Sequence, residues 1–290
     1  MELTRGKEKW VALAFMAPAL LLVAMVSIYP IFVAVNWSLY ETSYVQAVRY
    51  VGLDNFVALF TSENGVRNMV NSAVYVFSSI LLVIPVSVLL AVLLNLKLRF
   101  RMLFRTMIIL PWVISQTVTA LLWKWMINAN YGPITYMLEQ IAGIKTDLLS
   151  TSPGANLSLI IANVWNTFPL ALVLVLAALQ TIPSELYEAG RVDGASGWKS
   201  FFHITLPLIR PTIMVAIITL SLEYFNMVTL IYVFTGGGPF SATETLSLRA
   251  FKEGFDYWNV ALGSAFSVIL FIFNILLSLI YIRLLRGRAH

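Results

Sequence analysis

An all-α membrane protein with six transmembrane helices and both termini in the cytoplasm is the fold this sequence predicts. Three observations lead there. Of 290 residues, 59% are apolar and 11% charged, with a mean hydropathy of +0.83, far from the composition of a soluble domain. Apolar runs recur at about the 20-residue length a bilayer crossing needs. Basic residues gather in alternate connecting segments, the pattern that sets membrane orientation.

The elements follow in order. Arg5, Lys7 and Lys9 make a basic start, and residues 10–40 carry no charge, so span one is 11–33. Pro18 and Pro30 lie in or near it, which membrane helices tolerate. Its length argues for a retained span rather than a cleaved signal peptide. The loop 36–68 holds Glu41, Asp54 and Glu63 with Arg49 and Arg67. Span two, 69–96, ends at Lys97, Arg99, Arg101 and Arg105, a cluster suited to orientation and lipid headgroups rather than nucleic acid. Span three is 106–126, with Trp123 and Trp125 placed for an interfacial aromatic belt. In the loop 127–156, Gly132-Pro133 precedes helical spacing over 134–141 and then a Ser/Thr/Pro/Gly tract, giving a short interfacial helix and a loop. Span four is 157–179. Span five starts at Pro211, a favoured first helical position, and ends near 234, where Thr235-Gly236-Gly237-Gly238-Pro239 stops it. Span six is 260–282, closed by Arg283, Arg286 and Arg288.

With both ends inside, the cytoplasmic segments hold Arg5, Lys7, Lys9, Lys97, Arg99, Arg101, Arg105, Arg191, Lys199, Arg210, Arg283, Arg286 and Arg288, which is 13 of the 19 basic residues. Arg49, Arg67, Lys124, Lys145, Arg249 and Lys252 fall outside. An odd number of spans would place the C-terminal arginines outside, against the rule. There is no cysteine, so disulfides, thiol nucleophiles and thiolate metal sites are excluded.

Between spans four and five lies ELYEAGRVDGASGWKSFFHITLPLIRP, residues 185–211, with six charges: Glu185, Glu188, Arg191, Asp193, Lys199 and Arg210. Ser184 can cap a first helix, with Glu185 acidic in its first turn. Gly194 and Gly197 break that helix. Residues 198–204 can form a second, which Pro207 ends. The result is a two-helix elbow on the cytoplasmic side.

This segment resembles the E-A-A, three residues, G, nine residues, I-x-L-P loop of the membrane subunits of binding-protein-dependent ABC importers. Glu188-Ala189-Gly190 stand three residues before Gly194, and nine more precede Ile204, followed by Thr205, Leu206 and Pro207. The departure is Gly190 in place of the second alanine, which adds helix flexibility at about 1 kcal/mol. Leu110-Pro111-Trp112, the segment 121–125, and TGGGP with Phe225-Asn226 before it and Thr243-Glu244-Thr245-Leu246 after it are similar to the sugar-importing branch, including the maltose and glycerol-3-phosphate permeases. The resemblance implies an ABC type I importer transmembrane fold: residues 1–68 an N-terminal helix and external loop, 69–282 a five-helix core with its coupling loop at 180–210, and 283–290 a basic tail. It implies coupling to ATPases through Glu188, Ala189, Gly190, Gly194, Ile204, Leu206 and Pro207. It also implies a second related permease, two ATP-binding cassette subunits, an external solute-binding protein and a sugar cargo. ATP and Mg would sit on the partner ATPases, with no cofactor on this chain.

The sequence itself agrees that the motor lies elsewhere. A phosphate loop needs Gly-Lys adjacent in G-x-x-x-x-G-K-[ST]; Trp198 interrupts Gly197-Trp198-Lys199-Ser200, and no lysine follows Gly236-Gly237-Gly238. The histidines, His203 and His290, form no metal or catalytic set. A stand-alone carrier or channel is the competing class, but it predicts internal repeats and ion-coupling carboxylates. A membrane-embedded enzyme would need an acid/base or nucleophile set that is not seen.

Glu223 is the one ionisable residue deep in a predicted span, about 18 Å past Pro211 at about 1.5 Å per residue. It shares a helical face with Thr219 and Asn226. Two readings stand: that face lines the pathway, or Glu223 pairs with a neighbouring helix or subunit. Lys124, about 27 Å into span three by the same rise, reaches the outer surface. Asn163, Asn166 and Thr167 on span four, Gln116 and Thr119 on span three, and Ser267, Asn274 and Ser278 on span six either join helices or meet substrate. Tyr224 and Phe225 either offer an aromatic platform for a sugar or face lipid.

Overall fold

Inside a bilayer a segment must satisfy its own backbone, and for these apolar runs that means helix. The computed structural model describes the backbone of residues 2–96, 99–143 and 147–286, and side chains from residue 13 to 283 within those stretches apart from 101 and 142. Lys97, Lys145 and Arg288 of the charge pattern lie outside the described residues, as does most of the tail, 287–290. Among the described residues five helices are long and apolar enough to cross a membrane, and a sixth candidate is a bent pair.

Two units divide the chain: Met1–Glu63 with Arg249–Phe271, and Asn64–Leu248 with Ile272–His290. In the first, α1 (Glu2–Val23) continues through a π turn (Ala24–Ile28) into α2 (Tyr29–Trp37). None of the residues in the π turn or α2 is buried. The segment expected as plain loop instead folds into a hairpin and a helix. Strand β1 (Tyr40–Ser43) pairs antiparallel with β2 (Gln46–Tyr50), with a bulge between Glu41 and Thr42. Arg49 donates to Glu41 at 3.0 Å across the hairpin. Helix α3 (Asp54–Thr61) is pinned by Asn55, whose amide donates to the carbonyls of Ser38 and Tyr40 at 2.9 and 2.8 Å.

The second unit is built on α4 (Glu63–Asn95), which starts before the expected residue 69 and is 33 residues long. Helices α5 (Arg101–Val113) and α6 (Gln116–Met126) follow, then α7 (Pro133–Ala142), which covers the 134–141 stretch of helical spacing. Helix α8 (Ser152–Gln180) starts earlier than 157, because Thr151 caps it by accepting from the Gly154 N–H and Pro153 fits the first turn. Next come α9 (Ser184–Val192), α10 (Gly197–Ser200), α11 (Leu206–Phe225) and α12 (Thr229–Phe234). Two further helices run across the division between the units, α13 (Leu246–Phe251) and α14 (Val260–Arg286). Fully buried Ala91, Ala120, Ala171 and Ala216 sit where helices of the second unit meet. Small side chains let backbones approach where hydrophobicity cannot drive association.

Three expectations are corrected. Span three is not straight: α5 and α6 meet at 99°. Pro111 weakens the end of α5, Ile114 and Ser115 are extended, and Ser115 restarts the helix by capping the Val118 N–H. The rise-per-residue placement of Lys124 therefore no longer holds, and Trp123 packs against the core with its ring edge-on to Trp165. Pro207 does not end the elbow's second helix. A π turn over Phe201–Thr205 joins α10 to α11, making one apolar helix from Gly197 to Phe225. The wider turn lies immediately N-terminal to the proline, where its missing N–H and ring would strain a regular ladder. Span five is likewise broken, because α11 stops at Phe225 and α12 begins at Thr229.

Candidate functional site

Two places concentrate polar chemistry in the second unit. The first is the elbow. Helix α9 opens on Pro183, whose side chain cannot cap, so Ser184 is its first helical residue and not its cap. Gly194 turns the chain at φ +72°, in the left-handed region. The N–H of Ala195 then closes on the Gly190 carbonyl at 2.8 Å and that of Gly194 on Arg191 at 3.1 Å. Ser196 caps α10 by accepting from the Lys199 N–H at 3.4 Å. Tyr187 and Thr205 join the two arms through their hydroxyls at 3.0 Å.

Gly190 has a physical reason to differ from alanine. A Cβ there would lie 2.9 Å from Ile204 Cδ1 and 3.8 Å from the Ala195 Cβ. Gly190 and Ile204 are thus packed together across the bend. At Gly194 a Cβ meets nothing within 4 Å, so only the backbone angle demands glycine. Glu188 and Ala189 stand on α9, and Leu206 and Pro207 open α11. Val192, at the end of α9, is 88% exposed.

The second place is the interior of α4, α8 and α11. Tyr75 and Ser79 lie one turn apart on α4, Asn163 and Thr167 one turn apart on α8, and Tyr224 on α11; all five are buried. The Tyr224 and Thr167 hydroxyls are 2.6 Å apart, and the Tyr75 and Tyr224 rings are 6.1 Å apart at 59°. Among the described residues the hydroxyls of Tyr75 and Ser79 have no hydrogen-bond partner, and the Asn163 amide has none but the Tyr224 hydroxyl. Buried polar groups are almost always satisfied, and each exception calls for an explanation. Here several unmet donors and acceptors sit beside two aromatic rings, the set that a neutral polyhydroxylated molecule needs. Glu223, beside Tyr224, is half-buried and makes no side-chain hydrogen bond or ion pair among the described residues.

The other candidates lie outside this cluster of five. Asn166 is buried, and its amide donates to the carbonyls of Pro111 at 2.7 Å and Ile114 at 3.3 Å and to Thr119 Oγ1 at 3.1 Å. It closes the break between α5 and α6. Asn226, the C-cap of α11, exchanges amide bonds with Asn274 of α14 at 3.1 and 3.4 Å and donates to the Leu222 carbonyl at 2.7 Å. Gln116 is half-buried at the first residue of α6. Phe225 stacks on Phe273. Tyr75 and Ser79 escaped the sequence reading, although their four-residue spacing on an otherwise apolar helix is a detectable signal. Also unforeseen was Glu244, buried after the glycine turn. It lies near the start of α4, where Asn71 donates to the Ser241 and Glu244 carbonyls at 2.8 and 3.0 Å.

A multi-span helical protein with an unsatisfied polar interior and a protruding elbow has the layout of a transport subunit. Comparison with known proteins makes that specific. Residues 54–289 match the family of binding-protein-dependent transport system inner membrane components, and the chain belongs to that family. It is 32% identical over 251 residues to the trehalose/maltose transport system permease protein MalF of Thermococcus litoralis, covering 86% of this chain and 84% of that one. It is 31% identical to the sn-glycerol-3-phosphate transport system permease protein UgpA of Yersinia enterocolitica over 284 residues, 97% of this chain and 95% of that one. Its fold matches that of a bacterial ABC transporter involved in the import of the acidic polysaccharide alginate, with TM-score 0.85 and 23% identity over 100% of both chains. A second structure, of a bacterial alginate ABC transporter with its pentasaccharide-bound periplasmic protein, matches at TM-score 0.81 and 24% identity over 95% of this chain and 93% of that one. The chain is therefore an integral membrane permease of a binding-protein-dependent system, and the lone-carrier alternative gives way.

Proposed function

We propose that this permease forms half of a sugar-import pathway and takes its drive from ATPase subunits through the elbow. The observation that carries this is the elbow's construction. Two short arms are locked by the Tyr187–Thr205 bond and the Gly190–Ile204 contact, and the second arm is continuous with the membrane helix α11. A push on α9 and Gly194 therefore reaches α11 without passing through a flexible loop. The far end of α11 carries Glu223 and Tyr224, at the polar interior. ATPase closure moving the elbow would re-aim those groups and switch access from one side to the other.

In this account both termini and the elbow are cytoplasmic, and a second homologous permease supplies the other half of the path. Two ATP-binding cassette subunits bind ATP and Mg, while this chain binds no cofactor. An external solute-binding protein delivers the cargo. Residues 1–68 form the outer helix and external segment, and 69–282 the working core. Tyr75, Ser79, Asn163, Thr167 and Tyr224 meet the sugar's hydroxyls, with Glu223 beside them. The names of the maltose-, glycerol-3-phosphate- and alginate-handling relatives support a carbohydrate-type cargo.

The test is co-purification. Tagged wild-type chain is expected to bring down an ATP-binding subunit from membranes. Gly194→Asp costs only about 1–2 kcal/mol at the left-handed backbone and is expected to insert normally, yet lose the ATPase and uptake. Normal ATPase association in that variant would remove the elbow from its coupling role.

A further inference from the structure

The side of the elbow turned toward α4 is not closed. Pro85, Val88, Leu89 and Val92 of α4 stand opposite Trp198 and Phe201 across a cavity of about 500 Å³. Val92, Gly197 and Phe201 also line a second chamber of about 470 Å³, so the two make one groove. The second chamber's walls carry Asn95, Tyr187, Arg191 and Ser200. From Pro85 to Asn95 the groove follows α4 for about 15 Å. Over that length its wall changes from almost wholly apolar side chains to hydroxyl, carboxamide and guanidinium. Arg191 is exposed at the polar end and makes no ion pair among the described residues. Trp198, stacked on Phe202 and 75% exposed, stands at the apolar end.

That gradient repeats the bilayer's own boundary. An acyl chain fits the apolar chamber, and a phosphate fits the guanidinium, which binds it through paired N–H groups. We propose that the groove holds one anionic glycerophospholipid, its acyl chain between α4 and Trp198–Phe201 and its phosphate at Arg191. A second membrane helix is the competing occupant, but it would leave the guanidinium facing apolar surface at the groove's polar end. The depth of the site rests on reading the elbow as cytoplasmic. The lipid then bridges α4 to the moving arm, so its presence tunes how stiffly the elbow is held.

Full-length protein is reconstituted into phosphatidylcholine vesicles containing graded fractions of brominated phosphatidylglycerol or brominated phosphatidylcholine. It is studied alone and with the subunits that co-purify with it. The tryptophan quenching lost on Trp198→Phe reports the groove. Half-quenching of that component is expected at about fivefold lower phosphatidylglycerol than phosphatidylcholine, the factor one surface-bound arginine contributes. Arg191→Gln is expected to erase the difference while keeping the phosphatidylcholine response, which also shows that the variant is folded. Equal quenching by both lipids, a preference that survives Arg191→Gln, or a Trp198 that neither lipid reaches in the assembled complex would each overturn the proposal, the last in favour of a protein helix. Because the readout is independent of ATPase association, failure here is distinct from failure of the coupling role.

Discussion

Replacing Asn166 by leucine tests whether a span residue serves the fold or the cargo. Its amide supplies hydrogen bonds to the Pro111 and Ile114 carbonyls, which the 99° break strips of helical partners, and to Thr119 Oγ1. Leucine keeps the volume and removes every donor. Interhelical hydrogen bonds in membranes average about 0.6 kcal/mol and reach about 1.7. Leucine offers those two backbone acceptors nothing in return, so the loss should fall at about 1–3 kcal/mol. Reversible unfolding of purified protein in mixed micelles measures it, and uptake at varied sugar concentration separates fold from affinity. Asn166→Leu is expected to lower stability by that amount and reduce maximal uptake, leaving the half-saturating concentration unchanged. Unchanged stability with weakened half-saturation would refute the assignment and return Asn166 to the substrate path.

Three further outcomes are expected. Tyr75→Phe removes a buried hydroxyl that has no partner among the described residues, so it should leave unfolding stability unchanged or raise it by about 1 kcal/mol while weakening uptake affinity; a clear loss of stability would show the hydroxyl is satisfied. Glu223→Ala should alter substrate dependence with assembly intact, and identical uptake kinetics would mean the carboxyl only orders an interface. Gly190→Ala alone should change amide-exchange protection in α9 little, because about 1 kcal/mol of helix propensity is offset by a similar cost of displacing Ile204. Adding Ile204→Val should release that cost and raise protection about fivefold; a full rise in the single variant would mean Ile204 is not in contact.

Much of this arrangement could be read from residues alone, and the exceptions share a cause. Apolar run length locates membrane helices because lipid forces every backbone group to pair internally. It says nothing of a break that a neighbouring helix repairs. Pro111 was legible as a proline, but its consequence depends on Asn166, 55 residues away. Pro207 reads as a stop in a local pattern, yet a π turn just before it lets the helix continue. The elbow was legible because its determinants are local: charges in an apolar chain, a glycine at a left-handed bend and fixed spacing. The reason for Gly190 was not, since it lies in a side chain on the other arm. Of the interior cluster, Asn163, Thr167 and Tyr224 were visible as polar residues in spans. Tyr75 and Ser79 were lost in the long apolar α4, and only the missing partners separate these groups from amides that merely join helices.

Because the chain has no cysteine, Val192→Cys would introduce a single thiol at the exposed end of α9. In sealed vesicles, membrane-impermeant maleimide and a short bifunctional crosslinker report which side that thiol faces and what it touches. Labelling only from the cytoplasmic side, with crosslinking to an ATP-binding subunit that changes with nucleotide, is the predicted result. Labelling from outside, or no crosslink in a complex that still hydrolyses ATP and imports, would contradict the account.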